Sequence, residues 1–68
     1  MSDTVFQKIQ LVGTSNKSFS DAAANAVARA HQMGHQVSWF EVNEQRGAVR
    51  DGKIDQFQVT ITVGCRVQ

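Results

Sequence analysis

Proline is absent, cysteine and tryptophan occur once each, and no long apolar run or block of like charge interrupts the chain. Each shortage excludes something. One cysteine in 68 residues permits no intrachain disulfide and no thiolate cage for zinc. A single domain of this length buries only a modest core. With covalent staples closed to it, oligomerisation is the expected source of added stability. Net charge is +1, with Lys, Arg, Asp and Glu scattered, so the basic stripe of a nucleic-acid binder is missing. No apolar run approaches a membrane span, and the N-terminus lacks the apolar region of a signal peptide. The expectation is a cytoplasmic protein without nucleic-acid or membrane partners, and the lone thiol suits a reducing compartment.

What is present is strong patterning. From about Val5 to Val12, Val5, Ile9 and Leu11 share one face with Gln7 among them, which predicts a first strand. Gly13 to Lys17 reads as a loop. Ser18 or Ser20 caps a helix, and Ser18 with Asp21 resembles a capping box. Phe19, Ala22, Ala23, Ala26, Val27, Ala30 and Met33 then form the stripe of an amphipathic helix that Gly34 stops. A second strand runs from about Gln36 to Val49, and Asp51-Gly52 supplies a two-residue hairpin turn. In the third strand, from about Lys53 to Val67, Phe57, Val59, Ile61, Val63, Cys65 and Val67 alternate with Gln56, Gln58, Thr60, Thr62 and Arg66.

Strand, helix, strand, strand is an α+β order. A crossover through the helix makes the first two strands parallel. The third then lies antiparallel between them, giving sheet order 1-3-2 with one helix on one face. If Asp51-Gly52 is the whole loop, Phe40 faces Val63 and Val42 faces Ile61 beneath the helix. On the opposite face Trp39 meets Gly64, Glu41 meets Thr62, Asn43 meets Thr60 and Gln45 meets Gln58. That register puts Trp39, Gln45 and Gln58 on one open face, with room for something flat beside Gly64, and turns Arg46 toward the helix. A bulge would shift it by one residue. A helix of about 17 residues spans roughly 25 Å and a hairpin arm of about 14 roughly 45 Å, so one helix cannot cover the hairpin. Its tip, with Val49, Ile54 and Phe57, is expected to lie against other subunits of an obligate homo-oligomer.

Five runs occur in order: Val12-Gly13-Thr14-Ser15, Trp39-Phe40-Glu41-Val42, Arg46-Gly47, Phe57-Gln58-Val59-Thr60 and Val63-Gly64. Together they resemble the dodecins of bacteria, small flavin-binding proteins, over nearly the whole chain. The resemblance implies the same β-α-β-β fold assembled as a hollow homododecamer of cubic symmetry. It also implies flavins bound in pairs at two-fold axes, their rings sandwiched between tryptophans of two subunits. By that likeness Trp39 stacks on the ring, Gln58 hydrogen-bonds its pyrimidine edge and Arg46 helps to hold FMN. Some bacterial members also bind coenzyme A, and Arg66 is a candidate to meet its phosphate. Two positions depart from the pattern. Cys65 stands where an aromatic residue is common, and Asn16 where proline is frequent.

Each residue also has a plainer reading. Tryptophan is enriched at interfaces, so Trp39 alone could be an assembly anchor; an electron-rich indole nevertheless offset-stacks well on an electron-poor flavin. A close indole quenches the flavin excited state by electron transfer, which favours storage and photoprotection over turnover. Gln58 and Arg46 would otherwise be solvated strand residues. His31 and His35 have a metal-binding spacing, but Gly34 ends the helix between them and no third ligand is evident. Cys65 reads as a small core residue. Gly13 before a helix is too little to claim an anion site. No Ser-His-Asp set, paired carboxylates or phosphate loop is recognisable. The expected function is therefore sequestration of FMN, with riboflavin and lumichrome as other ligands, and no enzymatic activity. The alternative is a structural cage that binds coenzyme A or a protein; a flavoenzyme is a distant third.

Overall fold

Apolar side chains on every second position of a strand call for a cover on one face only, and the cover here is a single alanine-rich helix. The computed structural model describes residues 3–67. Their elements run β1 (Val5–Ser15), α1 (Phe19–Gln32), β2 (Val37–Arg50) and β3 (Lys53–Val67). The sheet order is β1-β3-β2, with both outer strands antiparallel to β3. The α+β topology expected from the alternation is the one formed.

The core lies between α1 and the inner face of the sheet. Ala22, Ala26 and Ala30 from the helix meet Val59, Ile61, Val63 and Cys65 from β3, with Ile9, Leu11, Phe19, Ala23, Val27 and Val37 around them. Alanine on the buried stripe brings the helix axis close to the sheet. Gly13 completes that approach. It lies within β1, not in a loop, and a Cβ there would collide with the carbonyl oxygen of Ala22 and stand 2.8 Å from the Ala26 Cβ.

The helix start is capped as expected on one side only. The Ser18 hydroxyl accepts from the Asp21 backbone N–H at 3.0 Å. Asp21 does not close a capping box; it accepts from the Ser15 hydroxyl at 2.7 Å. Ser15 in turn accepts from the Lys17 backbone N–H at 2.9 Å, so one buried hydroxyl ties the end of β1 to the first turn of α1. The helix ends at Gln32 with Met33 as its cap, followed by Gly34 at φ 95°. Met33 is exposed, not part of the buried stripe.

The Asp51-Gly52 turn has positive φ at both residues, 52° and 75°, the conformation that suits a two-residue hairpin. Beyond it the hairpin departs from the simple register. Trp39↔Gly64, Phe40↔Val63, Glu41↔Thr62 and Val42↔Ile61 pair as expected. Between Glu44 and Ala48 the partners are displaced by one, because Asn43 is extra on β2 and Asp55 is extra on β3. The pairs here are Glu44↔Thr60, Gln45↔Val59 and Arg46↔Gln58. A side chain changes face with each one-residue slip, and that reassigns two candidate ligands below.

The chain measures 57 × 20 × 13 Å, whereas 14 helical residues span only about 21 Å. The hairpin tip is correspondingly bare, with Val49 68% and Ile54 66% exposed. Phe57 is not part of that bare tip, since it packs edge-on against Phe19 with ring centroids 5.0 Å apart.

Candidate functional site

The outer face of the sheet, away from α1, carries polar residues along most of its length and one pair of aromatics. Phe6 of β1 and Trp39 of β2 meet there at 5.0 Å between ring centroids, with their planes 64° apart. The six-membered ring of Trp39 lies over Gly64, so close that a Cβ at that position would collide with Cε2, Cζ2 and Cδ2 of the indole. The space beside Gly64 that the sequence left for something flat is thus filled by the indole itself. Its N–H donates to Glu41 Oε2 at 3.1 Å, and the same oxygen receives Lys8 Nζ at 3.3 Å. Trp39 keeps 37% of its surface exposed. The result is a flat aromatic shelf fixed from three strands.

Hydrogen bonding by the Trp39 N–H, and then the neighbouring Lys8, hold the Glu41 carboxyl below its ordinary value of 4.5. A depressed carboxylate gives an interaction that is complete above its ordinary range and is lost only as pH falls through the lowered value. Trp39 is the only tryptophan and tyrosine is absent, so ultraviolet emission of the ligand-free protein reports this indole alone. That emission should stay constant from neutral pH into the ordinary carboxylate range and change only below it. Lys8→Met should move the change upward. A transition at or above 4.5 in the unaltered protein would contradict the arrangement.

Further along the same face stand Arg46 and Gln58, paired across β2 and β3. The Gln58 side-chain amide donates to Gln56 Oε1 at 2.9 Å. Arg46, which the simple register turns toward the helix, is brought to the Trp39 face by the extra residue at Asn43. Gln45 makes the opposite move and leaves that face. It pairs with Val59 and lines a 720 Å³ groove between α1 and β2 with Phe19, Ala23, Val27, Phe40 and Val42. The bulge itself is pinned on the outer side, where Asn43 Oδ1 accepts from the Thr62 hydroxyl at 2.6 Å and from Gln10 Nε2 at 3.5 Å. Arg66 pairs with Phe6 and so belongs to the Trp39 end of the face.

Two groups emerge, Trp39 with Arg66 and Arg46 with Gln58. Along β3 the partners of Trp39 and Arg46, Gly64 and Gln58, are six residues apart, which is about 20 Å of strand. The two groups of one chain therefore stand well apart along the face. Sequence reasoning passed over Phe6, Lys8 and Glu41, which fix the indole. Their signal was available: Phe6 and Lys8 alternate out of phase with Ile9 and Leu11, so they belong to the Trp39 face. Among the described residues no three His, Cys, Asp or Glu side chains, His31 and His35 included, form a metal-ion cluster. Cys65 is buried in the core. No helix among the described residues is long and apolar enough to cross a membrane.

Known proteins share this fold. The sequence pattern of the family described as Dodecin matches residues 5–68. The chain is 38% identical over 64 residues to a dodecin of Thermus thermophilus, covering 94% of this chain and 93% of that one. Its fold is similar to that of dodecin from Streptomyces davaonensis, at 40% identity with a TM-score of 0.93 over 98% of each chain. It is equally similar to dodecin from Streptomyces coelicolor, at 37% identity and a TM-score of 0.93, covering 100% of this chain and 97% of the other. Family pattern, sequence identity and backbone geometry agree over almost the full length, and the chain belongs to the dodecin family.

Proposed function

We propose that this protein binds and stores FMN, as paired rings stacked between Trp39 side chains of neighbouring subunits, in a hollow homododecamer. The observation that carries the reading is the Trp39 shelf. An indole already laid on Gly64, braced by Phe6 and Glu41 and still open on its outward side is prepared for one flat partner. Offset stacking favours an electron-poor ring on that surface. Bound flavin supplies such a ring together with its light absorption. The chain's residues hold it, exclude water from its faces and quench it through Trp39.

The separation of Trp39 from Gln58 supports a site shared between chains. Gln58 and Arg46 of one subunit then meet a ring that rests on Trp39 of another. An amide reads both donors and acceptors of a pyrimidine edge, and a guanidinium suits its carbonyls or the FMN phosphate. Arg66, beside the shelf, is the second candidate for phosphate, including that of coenzyme A. Riboflavin and lumichrome share the ring and are expected to bind, since stacking reads little else. The exposed tip residues Val49 and Ile54, and the apolar groove containing Gln45, support assembly, because faces of this kind are buried by other copies. A ring covered on both sides leaves no open face for a substrate, which supports storage rather than enzymatic turnover.

Gln58→Ala tests the composite site. It should weaken FMN binding by about 1–3 kcal/mol, the loss that follows when a polar ligand edge has no partner. Gln45→Ala should weaken it less, since Gln45 pairs with Val59 away from the Trp39 face. Isothermal titration of each variant, with sedimentation to verify a particle of twelve chains, measures both. Equal affinity of the Gln58 variant and the unaltered protein would remove Gln58 from the site.

A further inference from the structure

On the open face Glu41 receives both the indole N–H of Trp39 and the ammonium group of Lys8 on one oxygen. A tryptophan on an open strand face ordinarily samples several rotamers. Here three strands remove that freedom. Gly64 of β3 sets the height of the ring, Phe6 of β1 abuts it, and Glu41 fixes rotation about the remaining bond. Lys8 of β1 orients the carboxylate in turn. A shelf fixed before the ligand arrives loses less freedom on binding than a mobile one.

The carboxylate has a second consequence. When an indole gives up an electron it becomes positively charged, and a negative oxygen on its N–H stabilises that charge. We propose, resting on the flavin-storage reading above, that Glu41 is a positioning residue for Trp39 that both fixes the plane of the stacking indole and strengthens it as an electron donor to the excited flavin. The electron passes from the Trp39 indole to the excited ring and returns in recombination. No outside oxidant or reductant is consumed and no bond is made or broken.

Two variants separate the two roles. Glu41→Ala removes both the hydrogen bond and the charge. Glu41→Gln keeps an oxygen that accepts from the indole N–H but removes the charge. In the ligand-free protein, time-resolved anisotropy of the single tryptophan reads the hold directly. Glu41→Ala should show added fast motion and Glu41→Gln little. With FMN, Glu41→Ala should raise the dissociation constant roughly three- to tenfold, whereas Glu41→Gln should bind almost normally. Flavin fluorescence lifetimes should lengthen in both, because both lose the charge.

Unchanged anisotropy in Glu41→Ala would overturn the positioning role. Flavin lifetimes in Glu41→Gln equal to those of the unaltered protein would overturn the electronic one. Failure of the unaltered protein to bind FMN would instead sink the flavin reading, and the ligand-free anisotropy would still decide whether Glu41 holds the indole.

Discussion

Trp39→Ala should lose most of its flavin affinity and leave FMN fluorescent in its presence, with the particle still assembled. Trp39 makes its contacts on the outer face, with Phe6, Glu41 and the backbone at Gly64. None of these belongs to the buried cluster between α1 and the inner face. Removing the indole therefore deletes the shelf and spares the core. Truncation of a central aromatic anchor commonly costs at least about 2 kcal/mol of binding, which is roughly thirtyfold or more in the dissociation constant. Quenching should fall more steeply than affinity, because electron transfer needs the indole in contact whereas residual binding can come from Gln58 and Arg46. Fluorescence titration and sedimentation on the same preparation give the two readings together. Normal affinity in an assembled Trp39→Ala particle would remove stacking from the mechanism.

The second large effect concerns the scaffold. Gly13→Ala should destabilise the fold by about 2–4 kcal/mol. The added Cβ points at the carbonyl oxygen of Ala22, a backbone atom inside the helix that cannot rotate away. Relief requires α1 to lift from β1, which opens the contacts of Ala22 and Ala26 with the sheet. A small domain whose total stability is about 5–15 kcal/mol loses a large share of it. Thermal unfolding of variant and unaltered protein at equal concentration is the check, since assembly makes the midpoint concentration-dependent. A Gly13→Ala protein that melts at the unaltered temperature would contradict the packing described for α1.

These two residues also show what a sequence conveys. The fold was legible because β3 alternates without interruption from Phe57 to Cys65 and because the helix stripe is continuous. Asp51-Gly52 anchored the hairpin from its turn. What alternation could not reveal was the extra residues in that hairpin, Asn43 on β2 and Asp55 on β3 among them. From Asn43 to Arg46 β2 is polar at every position, so neither phase leaves a hydrophobic mark, and a slip there is silent. Gln45 and Arg46 consequently exchanged faces, while Trp39, which lies beyond the bulge toward the start of β2, kept its place.

Gly13 was misread for a related reason. Gly-Thr-Ser-Asn is turn chemistry by composition, but the strand continues to Ser15 and the glycine serves helix contact instead of a bend. Phe57 was assigned to the bare tip because one helix is too short to cover the hairpin, and only its edge-on contact with Phe19 shows that the helix start reaches it. The roles of Phe6, Lys8 and Glu41 depend on three strands converging on one indole, which periodicity along any single strand does not display.

The Trp39 shelf is expected to bind flavin as stacked pairs. Titrating FMN with the purified ligand-free protein, while following flavin fluorescence, tests it most directly. Saturating quenching at one flavin per chain is the predicted result. Flavin that stays fluorescent at micromolar protein would contradict it, and would leave Trp39 as an assembly residue in a particle with some other cargo.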